Sequence, residues 1–293
     1  MSIASIMFRK VVTKLDAKRD EGLKTPEDIY RFDNISYGLS EVWNVLDVYK
    51  PKEKKNECLP VIISVHGGGW VYGDKELYQF YCMNLAQKGF AVINFTYGLA
   101  PKYKFPSQIE DVNQVVCWMY ENAEKYGFDL EHIFMVGDSA GAHLTSLYSC
   151  ICTNPEYAKT FPSVKVPNHF VPTALGLNCG VYRVMKNMDA NNTIKLMKDL
   201  LGRKAEEKYD WISPALYITE QFPPVYLMTA KGDFLIKQAP ILKEALEKKN
   251  IKHVYKIYGT DSAPLYHVFH CNMKEEEGLR CNEEECEFFK QFL

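Results

Sequence analysis

Short apolar runs alternate with longer segments of helical spacing along most of this chain, and that alternation restricts the fold more than any other feature. The segments are, in chain order, 59–65, 76–88, 90–95, 107–126, 132–136, 140–152, 171–177, 224–230, 238–249, 252–258 and 273–291. Strands that alternate with helices are typical of a mostly parallel sheet with helices on both faces. Ahead of them, residues 34–37 and 43–49 alternate in polarity and predict a first hairpin. The sequence therefore predicts an α/β fold.

Residues 137–141 read Gly-Asp-Ser-Ala-Gly and lie between two of these segments. Residues 133–136 form a short buried-strand candidate, and residues 140–152 have helical spacing. A Gly-x-Ser-x-Gly sequence in this context is typical of a nucleophile elbow, a sharp strand-to-helix turn that exposes a serine hydroxyl. Glycine suits both outer positions because side chains there would collide with neighbouring backbone. Ser139 is therefore the candidate nucleophile.

A second motif, His-Gly-Gly-Gly-Trp at residues 66–70, directly follows the apolar run 59–65. Acyl transfer builds negative charge on a carbonyl oxygen, which preorganised backbone N–H groups stabilise. Consecutive glycines let the chain turn its N–H groups toward a ligand without steric cost. We therefore predict an oxyanion hole formed by the N–H groups of Gly68, Gly69 and Ala140, the last at the start of the helix after Ser139.

Together these motifs resemble the hormone-sensitive-lipase-like branch of the α/β-hydrolases, a family of carboxylesterases and deacetylases. The resemblance extends from about Tyr37 to the C-terminus. Relatives carry Tyr-Arg-Leu-Ala-Pro between the two motifs, whereas residues 97–101 read Tyr-Gly-Leu-Ala-Pro here, which indicates a divergent subgroup. The resemblance implies the α/β-hydrolase fold, with a mostly parallel central sheet, helices on both faces and a small helical cap.

A serine nucleophile needs a base, and the base needs an acid to hold it. In α/β-hydrolases these residues follow in the order serine, acid, histidine. Asp233 comes just after the apolar run 224–230, where the family places its acid, although Phe234 replaces the proline that usually follows it in relatives. His267 lies in a His-Val-Phe sequence that matches the family's His-x-Phe context for the base. The resemblance thus implies a Ser139–His267–Asp233 triad.

Other residues compete for the roles of base and acid. His270 follows His267 closely and would lie on the opposite side of a tight loop. Asp261 lies in a loop beyond the last strand rather than at a strand end. The other histidines outside the glycine motif precede the acid in the chain or flank strands, namely His132, His143, His169 and His253. We favour His267 and Asp233.

The resemblance also implies how the chain is divided. We expect one α/β-hydrolase domain over residues 1–293, in which residues 1–30 and 180–210 form cap segments and the second helps to line the acyl or alcohol pocket. The apolar residues of the first segment fall near one face of a helix: Ile3, Ile6, Met7, Val11 and Leu15. That helix either covers the site or packs on the outside of the core.

Composition limits the partners and the compartment. The chain has 293 residues and a formal net charge of −2, which provides no strong field for nucleic acid or an anionic membrane, so we expect neither as a partner. The nine cysteines include no Cys-x-x-Cys pair and indicate free thiols in a reducing compartment. Residues 1–20 lack a signal-peptide core, and no uncharged apolar stretch reaches bilayer-spanning length. We therefore expect a cytoplasmic protein.

These observations favour a serine carboxylesterase that hydrolyses short-chain acyl esters, acetyl above all, of small molecules or sugars. The mechanism needs neither a metal nor an organic cofactor. Aromatic and imidazole side chains near the candidate loops are candidate substrate contacts: His66, Trp70, Tyr72, Tyr97 and Tyr182. The expected partner is a small-molecule ester, and homodimer formation stays open.

Two alternative functions remain. One is an amide hydrolase similar to an arylformamidase, which the Tyr37-Gly38 pair near the first hairpin also fits. The other is a ligand-binding member of the fold without turnover. Reaction with a fluorophosphonate probe separates catalysis from binding alone.

Overall fold

The computed structural model describes residues 1–186, 188 and 193–293, and an eight-stranded sheet runs through its centre. The strands are β1 (Ile29–Ser36), β2 (Val45–Pro51), β3 (Leu59–Val65), β4 (Ala91–Phe95), β5 (Phe128–Asp138), β6 (Ala174–Asn178), β7 (Val225–Ala230) and β8 (His253–Tyr258). Their order across the sheet is β1-β2-β4-β3-β5-β6-β7-β8. Strand β2 pairs antiparallel with β1 and β4, and the remaining neighbours pair parallel. The predicted mostly parallel sheet and first hairpin are confirmed.

Helices cover both faces of the sheet. They are α1 (Ile3–Asp20), α2 (Lys75–Gln87), α3 (Ser107–Glu121), α4 (Ala123–Tyr126), α5 (Ala140–Thr153), α6 (Pro155–Ala158), α7 (Thr193–Leu201), α8 (Gln238–Lys248) and α9 (Glu276–Lys290). One apolar core lies between the sheet and helices α3, α5 and α8. A second core lies between the opposite face and helices α2 and α9. The sheet is therefore buried on both sides, as its apolar strands require.

Some element boundaries differ from the predicted ones for local reasons. The predicted helix 107–126 divides into α3 and α4 at Asn122, whose side-chain amide donates to the carbonyl of Trp118 at 2.9 Å. Within the predicted cap segment 180–210, helix α7 ends at Leu201, because Gly202 has a φ of +77° and terminates the helix. A short 3-10 turn, Ala205–Lys208, follows it.

The two segments predicted as a cap contact each other. The backbone N–H of Ser2 and the hydroxyl of Ser5 both donate to Asp199 of α7, at 2.8 and 2.6 Å. Farther along α1, Arg9 Nε donates to the carbonyl of Val71 in the loop after β3 at 2.5 Å. These contacts attach α1 over the edge of the sheet where β3 ends. Among the described residues, no helix combines the length and the apolar character that crossing a bilayer requires.

The apolar residues predicted to share one face of α1 do share it, but that face is exposed. The side of α1 that faces the protein carries Ser5, Phe8, Arg9 and Val12 instead. Periodicity identifies an apolar face but does not say what lies against it. Polar anchors at Ser5 and Arg9 determine which side of this helix faces inward.

One carboxyl group lies in the core between α9 and the sheet. Glu285 is 1% exposed, and its two oxygens accept hydrogen bonds from Asn178 Nδ2 at 2.9 Å and Tyr81 Oη at 3.1 Å. Burial raises the pKa of Glu285 to about 7, although both hydrogen bonds oppose the shift. The unfolded chain ionises this carboxyl at a lower pH than the folded chain does. The free energy of unfolding therefore falls as pH rises from 4.5, the ordinary pKa of this carboxyl, to about 7, its pKa in the folded protein.

We predict that Glu285→Gln raises the free energy of unfolding at pH 8 by about 1–3 kcal/mol. It should change that free energy little at pH 4, below the ordinary pKa of 4.5, because the carboxyl is then mostly neutral in both the folded and the unfolded chain. Urea unfolding at both pH values measures the effect. Glu287→Gln, on the exposed side of α9, is the matched control and should show no pH-dependent difference. An equal loss of stability by Glu285→Gln at both pH values would contradict the prediction.

Candidate active site

Ser139 occupies a sharp turn between the end of β5 and the start of α5. Its backbone adopts φ 52° and ψ −114°, a conformation that side-chain-bearing residues seldom adopt, and its N–H donates to the carbonyl of Asn178 at 2.9 Å. A Cβ on Gly137 would lie 2.6 Å from the carbonyl carbon of Gly141. A Cβ on Gly141 would overlap the carbonyl oxygen of Val65. This turn therefore requires glycine at both positions, because a side chain at either one would clash with the backbone of its neighbours.

Three side chains that are far apart in the chain meet at the carboxyl edge of the sheet. His267 Nε2 lies 3.0 Å from Ser139 Oγ, and His267 Nδ1 lies 2.7 Å from Asp233 Oδ1. Asp233 follows β7, and His267 follows β8. Because a carboxylate only accepts hydrogen bonds, Asp233 keeps the imidazole proton on Nδ1 and leaves the Nε2 lone pair for the serine hydroxyl.

Asp233 is held as an anion in a buried position. Burial opposes its ionisation, but hydrogen bonding to His267 and the N–H of Leu235 outweighs burial and lowers the pKa of Asp233. Thr229 Oγ1 donates to the other carboxylate oxygen at 3.0 Å. The ring of Phe234, which replaces the proline of relatives, packs 4.3 Å from the His267 ring between centroids. Carboxylate and imidazole are thus both restrained.

The glycine motif forms a tight loop next to Ser139. Gly68 and Gly69 have φ values of +104° and +59°, and a Cβ on Gly68 would overlap the carbonyl oxygen of Tyr72. The carbonyl of Gly68 accepts the N–H of Tyr72 at 3.0 Å, which closes the loop on itself. Ala140 lies immediately after Ser139, as the first residue of α5. The three predicted oxyanion donors therefore come from two backbone turns on either side of the serine.

A buried side-chain contact joins the elbow to this loop. Tyr78 of α2 donates to Asp138 Oδ2 at 2.9 Å, and its oxygen accepts the N–H of Gly67 at 2.9 Å. Burial raises the pKa of Asp138 to about 6, with the hydrogen bond from Tyr78 opposing the shift. The sequence did not reveal this link, because Tyr78 is one tyrosine on an otherwise ordinary helix.

A second contact holds the other end of the loop. Trp70 Nε1 donates to His143 Nδ1 at 3.2 Å, and His143 Nε2 lies 2.7 Å from the carbonyl of Ile212. The carbonyl can only accept, so His143 is neutral and carries its proton on Nε2. His143 belongs to the helix after Ser139, and it thereby fixes the tryptophan of the glycine motif against that helix.

Ser139 and His267 open into a cavity of about 420 Å³. Its apolar walls come from α1, α7 and the loop after β7: Phe8, Val11, Val12, Leu15, Leu196 and Phe234. Asp16 and Arg19 add the charged groups of α1. The wall residues of α1 and α7 belong to no motif, and only their position in the two predicted cap segments signals a role.

The five predicted substrate contacts divide into two groups. Trp70 and Tyr72 line the cavity. His66, Tyr97 and Tyr182 are buried and lie outside the described cavity wall. His66 stacks on Tyr97 at 3.9 Å between ring centroids, and Tyr97 Oη donates to the carbonyl of His66 at 3.0 Å. These two aromatic side chains support the glycine loop from behind, which accounts for their burial.

The competing candidates His270 and Asp261 have other partners. His270 is buried beside Cys271, with Nε2 3.5 Å from the sulfur, and burial lowers its pKa to about 3. Asp261 pairs with Lys231 on the surface at 3.1 Å. The structure brings Asp233, and not Asp261, to the imidazole of His267.

Two groups of side chains have the spacing of metal ligands among the described residues: Asp138, His270 and Cys271, and Cys179, Asp233 and His267. In the second group, Asp233 and His267 already bond to each other. In the first group, burial raises the pKa of the Cys271 thiol, which disfavours the thiolate that a metal binds. We assign a metal to neither group.

The strand order, the serine turn and the three meeting side chains define an α/β-hydrolase. The BD-FAE family model matches residues 46–246, and the chain belongs to this family of α/β-hydrolase esterases. The resemblance to carboxylesterases and deacetylases is thereby confirmed.

Individual relatives agree with this class. Esterase LipQ of Mycobacterium tuberculosis (strain ATCC 25618 / H37Rv) is 26% identical over 70% of this chain and 50% of its own length. Arylacetamide deacetylase of Rattus norvegicus is 38% identical over 34% of this chain and 26% of its own length. The chain thus spans half or less of these relatives. Among solved structures, an inhibited esterase B from Lactobacillus rhamnosis has a TM-score of 0.89 and 27% identity, covering 99% of this chain and 97% of that one.

We predict that His143 remains neutral, with its proton on Nε2, at pH 5.5. Burial lowers its pKa to about 4, although the hydrogen bond to Ile212 opposes the shift, and a proton on Nδ1 would face the N–H of Trp70. Long-range ¹H–¹⁵N NMR of the imidazole nitrogens measures the tautomer and charge, and His143→Gln assigns the signal. An Nδ1–H tautomer, or titration near the ordinary pKa of histidine, would contradict this geometry.

Proposed function

We propose that this chain is a serine carboxylesterase that hydrolyses short-chain acyl esters, acetyl above all, of small molecules or sugars. The observation that carries the proposal is the hydrogen-bonded series Ser139–His267–Asp233 at the end of an apolar cavity. A loop of consecutive glycines borders the same cavity. Nucleophile, base, acid and a source of N–H donors are thus within reach of one substrate carbonyl.

In the first half of the proposed reaction, Ser139 Oγ attacks the ester carbonyl carbon while His267 Nε2 accepts its proton. The carboxylate of Asp233 stabilises the imidazolium that forms. The low pKa of Asp233 supports this role, because a neutral acid would not stabilise that charge. The developing oxyanion takes hydrogen bonds from the N–H groups of Gly68, Gly69 and Ala140.

In the second half, the tetrahedral intermediate collapses and His267 protonates the leaving alcohol. A water molecule then gives a proton to the same Nε2 and attacks the carbonyl carbon of the acyl group bound to Ser139 Oγ. His267 returns that proton to Ser139 Oγ as the carboxylic acid is released. In both halves, His267 Nε2 takes a proton from the attacking oxygen and gives it to the departing oxygen. The exposed edge of His267, whose side chain is 19% accessible, allows water to enter.

The cavity supports a small acyl group. Its volume of about 420 Å³ is near the lower end for small-molecule sites, and Phe8 and Leu196 stand on its walls. We propose that α1 and α7 are the cap of a single α/β-hydrolase domain, since both contribute to this wall. The name of the arylacetamide deacetylase relative supports acetyl as the acyl group.

That same name favours a second candidate, an amide hydrolase that removes acetyl groups from aromatic amines. An arylformamidase-like enzyme, which removes formyl groups, belongs to the same class of amide hydrolases. The Tyr37-Gly38 pair adds nothing to it, because Tyr37 is buried and its hydroxyl donates to the carbonyl of Thr96 at 2.6 Å. Amide and ester hydrolysis use the same groups and differ in how readily the leaving atom is protonated.

We also propose a cytoplasmic setting. All nine cysteines are free and most are buried, which suits a compartment that keeps thiols reduced.

We predict that Ser139→Ala lowers kcat/KM for p-nitrophenyl acetate by about 10⁴- to 10⁶-fold and abolishes fluorophosphonate labelling. Ser149→Ala is the matched control: it removes a buried hydroxyl of the same helix that donates to the carbonyl of Thr145 at 2.9 Å. We expect that control to keep normal activity and labelling. Wild-type protein that neither labels nor turns over any ester would support the ligand-binding alternative.

The same assay separates the substrate classes. It compares p-nitrophenyl esters from acetyl to lauroyl, an acetylated sugar, acetanilide and an N-formyl aromatic amine. We expect kcat/KM to be highest for acetyl or butyryl esters and to fall steeply for the lauroyl ester. A preference for either amide over the matched ester would favour the second candidate.

A further inference from the structure

The outward side of α1 is an unusual surface for a helix attached beside a cavity. Large apolar side chains are exposed on it, with Ile3 77%, Ile6 53% and Met7 63% accessible. Lys10 and Lys14 are exposed among them. At 100° per residue these side chains, together with Lys18, cover the half of the helix opposite Ser5 and Val12. We call them the outer face of α1.

The outer face continues into the active-site cavity. Val11 and Leu15 are 57% and 60% exposed, and both also line the cavity that holds Ser139 and His267. The exposed apolar side chains of α1 therefore reach the cavity that holds Ser139. A surface that only contacted water would place polar side chains at this mouth.

Charge on the outer face is positive. The two acidic residues of α1, Asp16 and Asp20, both pair with Arg19, at 3.1 and 2.7 Å. Within the described residues, Lys10, Lys14 and Lys18 form no ion pair. Lys274 adds a further positive charge, since its ammonium donates to the carbonyl of Lys18 at 3.3 Å.

We propose that the outer face of α1 docks on an anionic lipid surface and brings the mouth of the cavity against it. Apolar side chains interspersed with lysines suit this occupant, because the apolar groups enter the acyl boundary while the ammonium groups reach anionic headgroups. A cytoplasmic leaflet presents such a negative surface. Docking is a binding property beyond the proposed function and does not require turnover.

A second copy of the chain fits the same face less well. A two-fold dimer brings the same patch of both subunits together, so the lysines of one copy would oppose those of the other. The sequence led us to expect no membrane partner because the net charge of the whole chain is only −2. That total does not describe the charge on one helix. The local charge of α1 is what a surface would meet.

Flotation with vesicles tests the proposal on the intact protein. Wild-type protein should float with phosphatidylcholine–phosphatidylglycerol vesicles, bind phosphatidylcholine vesicles at least tenfold more weakly, and detach as sodium chloride is raised. The paired change Ile6→Glu and Met7→Glu should abolish binding. Lys10→Gln and Lys14→Gln should each weaken it roughly fivefold. Hydrolysis of a soluble acetyl ester should stay within twofold of wild type in all of them.

Val171→Glu is the matched control. Val171 is an exposed apolar residue just before β6, at the amino ends of the parallel strands and so on the side of the sheet opposite the cavity. It should bind vesicles like wild type. Equal binding of wild type to neutral and anionic vesicles, no binding to either, or an equal loss in the control would overturn the proposal. So would a concentration-dependent dimer that the Ile6 and Met7 changes dissociate. Vesicle binding is measured without substrate, so it stands or fails separately from esterase activity.

Discussion

The close approach of α5 to β3 at Gly141 controls the geometry around Ser139. Any side chain there would overlap the carbonyl oxygen of Val65, so the helix could not begin where it does. Because α5 begins at Ala140, Ser139 is held in a turn with a positive φ, and its hydroxyl extends from the sheet edge. Val65 is also the last residue of β3, from which the glycine loop departs. One steric constraint thus places Ser139 and the glycine loop next to each other.

Two buried contacts then prevent the elbow and the loop from moving independently. The Asp138–Tyr78–Gly67 series holds the start of the loop, and the Trp70–His143 contact holds its end. Each contact uses a residue directly before or shortly after Ser139. Preorganised donors stabilise charge best when they do not have to reorient during the reaction. The side chains around the glycine loop therefore provide rigidity that the glycines themselves lack.

Much of this arrangement could be predicted from the sequence. Alternating apolar and helical segments predicted the parallel sheet, and the two glycine motifs with the serine–acid–histidine order indicated the residues that meet at its edge. Contacts such as Tyr78 with Asp138 could not be predicted, because each partner is a single polar residue on an element distant in sequence. The orientation of α1 could not be predicted either. Ile3 and Phe8 are both apolar, and the polar anchors at Ser5 and Arg9 decide which side of the helix faces inward.

Our proposal requires Ser139, His267 and the backbone donors of two turns to act on one carbonyl group. A crystal structure of the protein after reaction with a p-nitrophenyl alkylphosphonate tests it most directly. We expect a bond from Ser139 Oγ to phosphorus, with the phosphoryl oxygen about 2.7–3.1 Å from the backbone nitrogens of Ala140 and at least one of Gly68 and Gly69. A phosphonate on another residue, or a phosphoryl oxygen turned away from those nitrogens, would contradict it.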